Sequence, residues 1–270
     1  MLQESPAPTK QRPLLARLVA HDRALTLAAL VLVTTLAWAY LAAMAAGMGD
    51  FMSGMDGLIG YPVLYLWDAR IFFLTLAMWA IMMAGMMLPG AAPTILLFAA
   101  ITTRQREAGN ASPSALVFGA GYLAAWAAFS LLCVFGQWGL QEVFAAQLLS
   151  PREGARIGGA VFLLAGLYQF TPLKRRCLSH CRTPLQFLAG HWPRNTAAAF
   201  RVGAQHGLYC VGCCWPAMAL LFVGGVMNFL WAAALALLVL AEKAVPRGEW
   251  VARVAGVGFI AAGAWLIFVP

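Results

Sequence analysis

The chain has 270 residues, of which 62% are hydrophobic and 10% charged, against about 25% charged in a soluble domain. Several runs of about 18 or more apolar residues exclude a soluble globular protein and read as membrane spans. The net charge of +8 would suggest a nucleic-acid partner in a soluble chain. Here the basic residues fall between apolar runs, as loop lysines and arginines do in multi-pass membrane proteins, so nucleic acid is not expected as a partner.

In chain order, the apolar segments predict seven transmembrane helices over about 24–46, 71–102, 115–137, 155–172, 198–223, 226–242 and 251–269. The fold class is therefore all-α, a polytopic helical bundle. Residues 1–23 form a basic tail, and 24–270 form one transmembrane domain that meets the lipid bilayer. The apolar run after the tail is too long for the hydrophobic region of a signal peptide, so an uncleaved first span is expected. With the N-terminus inside, fifteen lysines and arginines lie inside and three (Arg70, Arg152 and Arg156) outside. That bias places the N-terminus in the cytoplasm, the C-terminus outside and the protein in a bacterial inner membrane.

Methionine is unevenly spread. Of twelve in the chain, nine fall within residues 44–55 and 78–87, where even scatter would put about one. Met44, Met48, Met52 and Met55 run off the outer end of the first span. They would share a face in a helix, although Gly47, Gly49 and Gly54 favour an irregular loop. Met78, Met82, Met83, Met86 and Met87 cluster on one side of the second span, just before Pro89. That proline predicts a kink, and breaks at membrane depth are tolerated where the backbone is buried or lines a cavity. Methionine also serves as an adaptable core filler. Thioethers are, however, soft ligands for Cu(I) that need no deprotonation, and the clustering favours that role.

The most concentrated chemistry lies in the fifth span. His206, Cys210, Cys213 and Cys214 recur at i, i+4, i+7 and i+8, within about a 100° arc of one helix. A lone buried cysteine is an ordinary small hydrophobe. Three within five residues, one turn from an intramembrane histidine, point to a soft-metal site. Counting 1.5 Å per residue inward from outer boundaries near Phe72 and Gly224 puts Met82 and Cys214 at roughly 15 Å depth, and Met86 and Cys210 at roughly 21 Å. The thioethers and thiols thus reach the same level. Pro216 is a second expected break.

The loop before that span holds another Cys/His set, Cys177, His180 and Cys181. The two thiols are one helical turn apart, and Lys174, Arg175, Arg176 and Arg182 should lower their pKa values. The set reads as an inner relay for metal or as a redox pair. Glu242 and Lys243, at the inner end of the sixth span, read as an ion pair with each other.

Three stretches carry a family resemblance: Met78-Trp79-Ala-Ile-Met82-Met83-Ala-Gly-Met86-Met87-Leu-Pro89, His206-Gly-Leu-Tyr-Cys210-Val-Gly-Cys213-Cys214-Trp215, and Gly225-Val-Met227-Asn228-Phe-Leu-Trp231. Across about 70–270 the chain resembles a bacterial family of predicted metal-binding integral membrane proteins of unknown function. The resemblance implies metal binding and names no substrate. The 44–55 window lies outside it.

The expected protein binds Cu(I), or another soft cation, and moves it or hands it to a cuproenzyme or copper-protein partner. Met44, Met48, Met52 and Met55 would capture the ion. Met82, Met86, His206, Cys210, Cys213 and Cys214 would form the intramembrane site, with Cys177, His180 and Cys181 inside. No phosphate-binding loop is present to couple the movement to ATP. Two alternatives stand beside this one: a thiol oxidoreductase using Cys210-Val-Gly-Cys213 and the Cys177/Cys181 pair, and a scaffold subunit with incidental cysteines. For topology, a reporter fused after Pro270 should read as outside the cytoplasm; a cytoplasmic signal would reverse the orientation.

Overall fold

The computed structural model describes residues 12–54, 68–109, 112–145, 151–226 and 228–268. Among these there are nine helices and no strands. They are α1 (Arg12–Gly54), α2 (Ala69–Glu107), α3 (Ala115–Ala145), α4 (Pro151–Tyr168), α5 (Pro172–Arg182), α6 (Pro184–Gly190), α7 (Thr196–Gly224), α8 (Phe229–Ala244) and α9 (Gly248–Phe268). Five helical stretches are long and apolar enough to cross a membrane: Arg23–Gly47 of α1, α2, Ala115–Leu140 of α3, α7 and α9. The other two expected spans are α4 and α8, with 18 and 16 residues. At 1.5 Å per residue these reach about 27 and 24 Å, short of a hydrocarbon core about 30 Å thick. Helices α4 to α9 are joined by short turns. Asn195 and Asn228 cap α7 and α8 by accepting from the backbone amides of Ala198 and Trp231.

Two sequence expectations need correction. The glycines at 47, 49 and 54 do not open a loop, because α1 stays helical to Gly54. In an apolar setting a glycine's low helix propensity costs less than leaving backbone groups without partners. The side chains of Met48 and Met52, and all of Met55, lie outside the described residues. Nor are the prolines breaks, since α2 is one helix of 39 residues across Pro89 and Pro93, and α7 continues through Pro216. Each proline deprives the carbonyl four residues earlier of its amide. For Pro89 that carbonyl is Gly85, which accepts from Trp38 Nε1 at 3.1 Å. For Pro216 it is Gly212, which accepts from the Tyr168 hydroxyl. Side chains from α1 and α4 thus replace the missing bonds, as membrane helices require.

The bundle closes through small residues. Gly203 and Gly207, four apart on α7, lie against α3, where a Cβ on Gly203 would strike the Phe118 carbonyl oxygen. On the α3 side, a Cβ on Gly121 would fall onto the Phe200 carbonyl oxygen. Gly159 and Gly166 of α4 meet Gly263 and Gly256 of α9 in the same way. Without a hydrophobic driving force between helices in lipid, such close backbone approach is a main source of cohesion. Helix α1 lies on α2, and α5 packs against α7.

Gly121→Leu should therefore push α3 from α7 and lower stability by at least about 1–3 kcal/mol. Gly119→Leu, where an added Cβ meets nothing within 4 Å, should change little. Thermal unfolding of both variants in detergent checks this, and equal effects would refute the packing argument.

Candidate metal centre

Helix α7 buries His206, Cys210, Cys213 and Cys214 together, yet the four side chains meet different neighbours. The Sγ atoms of Cys210 and Cys213 converge with that of Cys181 on α5, all within 4.8 Å of one another. A trigonal metal with bonds of about 2.3 Å would set its sulfurs about 4 Å apart, so this spacing suits a soft ion with little adjustment. Cys213 and Cys214 donate to the Cys210 carbonyl at 3.1 and 2.9 Å. Cys214 Sγ also lies 4.0 Å from Met87 Sδ on α2, which brings the cysteine and methionine segments into contact. His206 stands apart from the sulfur group. Its ring is surrounded by Phe118, Tyr122 and Phe187, with centroids 5.0–6.0 Å away, and its Nδ1 has no hydrogen-bond partner.

The supposed inner loop is a helix folded back into the bundle. Thr171 caps α5 by accepting from the Lys174 amide at 3.2 Å, and Pro172 opens its first turn. The four-residue spacing then buries Cys177 and Cys181 on one face. Cys181 joins the sulfur group, and Cys177 Sγ faces Gly212, where a Cβ would come within 2.9 Å of it. His180 projects elsewhere. It stacks on Tyr209 with centroids 4.2 Å apart, and its Nδ1 pairs with the Arg176 carbonyl.

The expected lowering of the two thiol pKa values is overturned. Hydrogen bonding to Cys210 and then Cys213, with burial added, raises Cys181 well above the ordinary range. Burial, followed by the Cys213 charge, raises Cys177. The thiols face the interior, so the basic residues of α5 do not dominate their environment.

The acidic–basic pair at the end of α8 is also split. Glu242 does not pair with Lys243; it forms a buried ion pair with Lys174 of α5 at 2.7 Å. Lys243 turns the other way and donates from Nζ to Cys210 Sγ at 2.9 Å. Neighbours on a helix point about 100° apart, so each finds its own partner. Gly90 on α2 makes the reach possible, because a Cβ there would lie 3.0 Å from Lys243 Cδ and 3.2 Å from Nζ. The Tyr122 hydroxyl completes the surroundings, 3.0 Å from Cys210 Sγ and 3.1 Å from the Met87 carbonyl, to which it donates. An ammonium group can only donate, so Cys210 Sγ is the acceptor of this bond.

Lys243, Tyr122 and Gly90 were not singled out from the sequence. A lysine just inside the end of an apolar helix was the available signal, but it was assigned to its acidic neighbour.

Met78, Met82, Met83, Met86 and Met87 are all buried on α2. Met44, half-buried on α1, joins Met78 and Met82 around a cavity of about 10 Å³, the volume of one water-sized sphere. The buried thioethers therefore extend along α2 from that cavity to the contact with Cys214.

Comparison with known protein families places the chain beside a described family. The model of the family PpoB2, described as copper chaperone, matches residues 76–266. That stretch contains α3 to α8, most of α2 and α9, and every group of the sulfur centre. No curated protein and no solved structure matches the chain.

If Lys243 compensates charge at Cys210, Lys243→Met keeps the side chain's length and removes that compensation. Hydrogen bonds to charged groups contribute about 1.5–3 kcal/mol, so Cu(I) affinity should fall roughly ten- to a hundredfold. Competition with a Cu(I) chelator measures this, and unchanged affinity would remove Lys243 from the site.

Proposed function

The chain belongs to the PpoB2 copper-chaperone family, and from that premise we propose that it carries Cu(I) along a chain of sulfur ligands in a bacterial inner membrane and hands it to a copper-protein partner. The observation that supports this most is the convergence of Cys181, Cys210 and Cys213 beside a lysine, with the methionines of α2 one sulfur contact away. Seven spans, with the N-terminus inside, give the ladder a direction. Met44, Met78 and Met82 take up the ion nearer the outer side as neutral thioethers, with Met48, Met52 and Met55 preceding them. Met83, Met86 and Met87 carry it along α2, and Cys214 passes it to the three-sulfur centre. Cys177 and His180 flank the inner way out.

The order follows ligand chemistry. Thioethers bind Cu(I) without releasing protons, whereas thiolates bind as anions and more tightly. Affinity thus rises inward, and the trapped ion leaves only when a partner offers competing ligands. His206, one turn before Cys210, supports the wall of the site from its aromatic cage.

The oxidoreductase alternative meets an access problem. Thiol–disulfide exchange needs an incoming sulfur to reach the one attacked, and Cys210 and Cys213 are 1% and 0% exposed.

Purified protein loaded with Cu(I) should hold about one ion per chain at the centre. Binding there should collapse in Cys181→Ser/Cys210→Ser/Cys213→Ser and persist in Cys133→Ser, which alters a thiol outside the sulfur group. Met87→Leu should leave the stoichiometry intact but slow loading from the outer side about tenfold. Full occupancy in the triple variant would overturn the proposal. A metal-free protein with a defined dithiol/disulfide midpoint would favour the oxidoreductase.

A further inference from the structure

A second cavity lies away from the sulfur centre, where the end of α4 and the starts of α5 and α9 meet. Its volume is about 240 Å³, and Gln169, Phe170, Lys174, Arg175, Glu249 and Arg253 are among its lining residues. Its charges divide simply. Lys174 is engaged with Glu242 at 2.7 Å. That leaves the guanidinium groups of Arg175 and Arg253 against one carboxylate, Glu249. Gln169 is only 5% exposed, and its Oε1 has no hydrogen-bond partner. A buried amide oxygen without a partner is destabilising, so it favours a ligand that brings a donor. The cavity therefore offers two guanidinium groups for an oxyanion, and an amide oxygen with a carboxylate for an ammonium or hydroxyl group.

Its setting adds a third element. Around it Phe170, Leu173, Trp250, Val254 and Val257 are exposed, forming an apolar border along α9 and the α4–α5 joint. Arg253 lies 5.5 Å over the Trp250 ring. Tryptophan at the end of a span is characteristic of the membrane–water boundary. Basic pockets between helices on the cytoplasmic side recognise lipid headgroups. A molecule with a charged head and apolar tails matches the polar cavity and its greasy margin together; a free phosphate compound would leave the margin unused.

We propose that this cavity holds the headgroup of a membrane phospholipid, its phosphate between Arg175 and Arg253 and its terminal ammonium or hydroxyl group donating to Gln169 and Glu249. The site rests on the membrane-spanning topology proposed above and not on copper binding. A phosphodiester ending in a hydroxyl group supplies one net negative charge, matching the single excess positive charge of the lining, whereas one ending in an ammonium group pairs phosphate with the guanidinium groups and ammonium with Glu249. A choline headgroup fits poorly, because its quaternary nitrogen has no N–H to donate. Since α5 carries both Arg175 and Cys181, the lipid braces the helix that supplies the third sulfur.

The test uses native mass spectrometry of the full-length protein in detergent, offered phosphatidylethanolamine, phosphatidylglycerol and phosphatidylcholine with identical acyl chains. The ethanolamine or glycerol lipid should be retained at least about fivefold over the choline lipid. Retention should drop at least about tenfold in Arg175→Met/Arg253→Met, while Arg201→Met, a charge change elsewhere, leaves it unchanged. Gln169→Leu should erase the headgroup preference. Equal retention of all three lipids, unchanged retention in the double variant or an equal loss in Arg201→Met would overturn the proposal. Displacement by equimolar glycerophosphoethanolamine would also overturn it, reassigning the site to a soluble headgroup. If the double variant does not fold, Gln169→Leu decides alone: a lost preference supports the site, and an unchanged one refutes it. Cu(I) stoichiometry, measured on the same samples, should match wild type, so failure here is separable from failure of the copper proposal.

Discussion

A charge held in a dry interior needs a partner, and in this protein that requirement organises the helices around Cys210 and Lys243. Desolvating an uncompensated anion is among the largest penalties a fold can incur. The compensation comes from Lys243, which reaches Cys210 Sγ from the end of α8 across the space left by Gly90. Holding that lysine in place requires the end of α8 to be fixed, and Glu242, the preceding residue, fixes it by pairing with Lys174 of α5. Helix α5 in turn contributes Cys181 to the sulfur group. Two consecutive residues thus tie the charge of the site, through Lys243, to the placement of its third ligand, through Glu242. A cation entering the sulfur group alters the field that Lys243 now balances, so loading acts on the same residues that hold α5 and α8 together.

The second constraint is the absence of water to satisfy backbone groups. Pro89 in α2 and Pro216 in α7 each free a carbonyl, and both of these carbonyls receive a donor from another helix, Trp38 or Tyr168. These bonds lie beside the copper-relevant segments: Gly85 is within the methionine stretch, and Gly212 is between Cys210 and Cys213. The prolines therefore serve as attachment points. Each leaves an acceptor that only a correctly placed neighbouring helix can satisfy, which helps to set α1 against α2 and α4 against α7 near the sulfurs.

Much of this was legible in the sequence because it depends on periodicity. Apolar runs gave the long helices, and the i, i+4, i+7, i+8 spacing gave the shared face of α7. Counting rise per residue put Cys214 level with Met82, whereas the structure brings Met87, more than a turn further along α2, to Cys214, because depth alone carries no information on helix tilt or on which helices adjoin. What escaped was tertiary. Pro89 and Pro216 suggested breaks because sequence shows the bond that is lost and not the side chain that replaces it. The Cys177–Cys181 segment suggested a solvated loop with acidic thiols, since its flanking cations are visible in sequence whereas its burial against α7 is not. Glu242 and Lys243 suggested mutual pairing because adjacency in sequence is easily taken for adjacency in space. His206 shares the buried stretch of α7 with the cysteines but lies outside the three-sulfur group, its ring among Phe118, Tyr122 and Phe187.

That last separation bears on how the centre discriminates among metals. Imidazole suits a broad range of divalent ions, and a site combining histidine with thiolates would accept zinc readily. With His206 outside the sulfur group, and a methionine rather than a nitrogen or carboxylate next in line beyond Cys214, the ligands along the ladder are all sulfur. Three sulfurs in one plane suit a low-coordinate monovalent ion better than a divalent ion that favours four ligands. Lys243 strengthens the bias, because the group beside Cys210 is a donor without a lone pair and supplies no further ligand. If the centre takes Cu(I) as proposed, the nitrogen ligand that is withheld favours it as much as the sulfurs that are supplied.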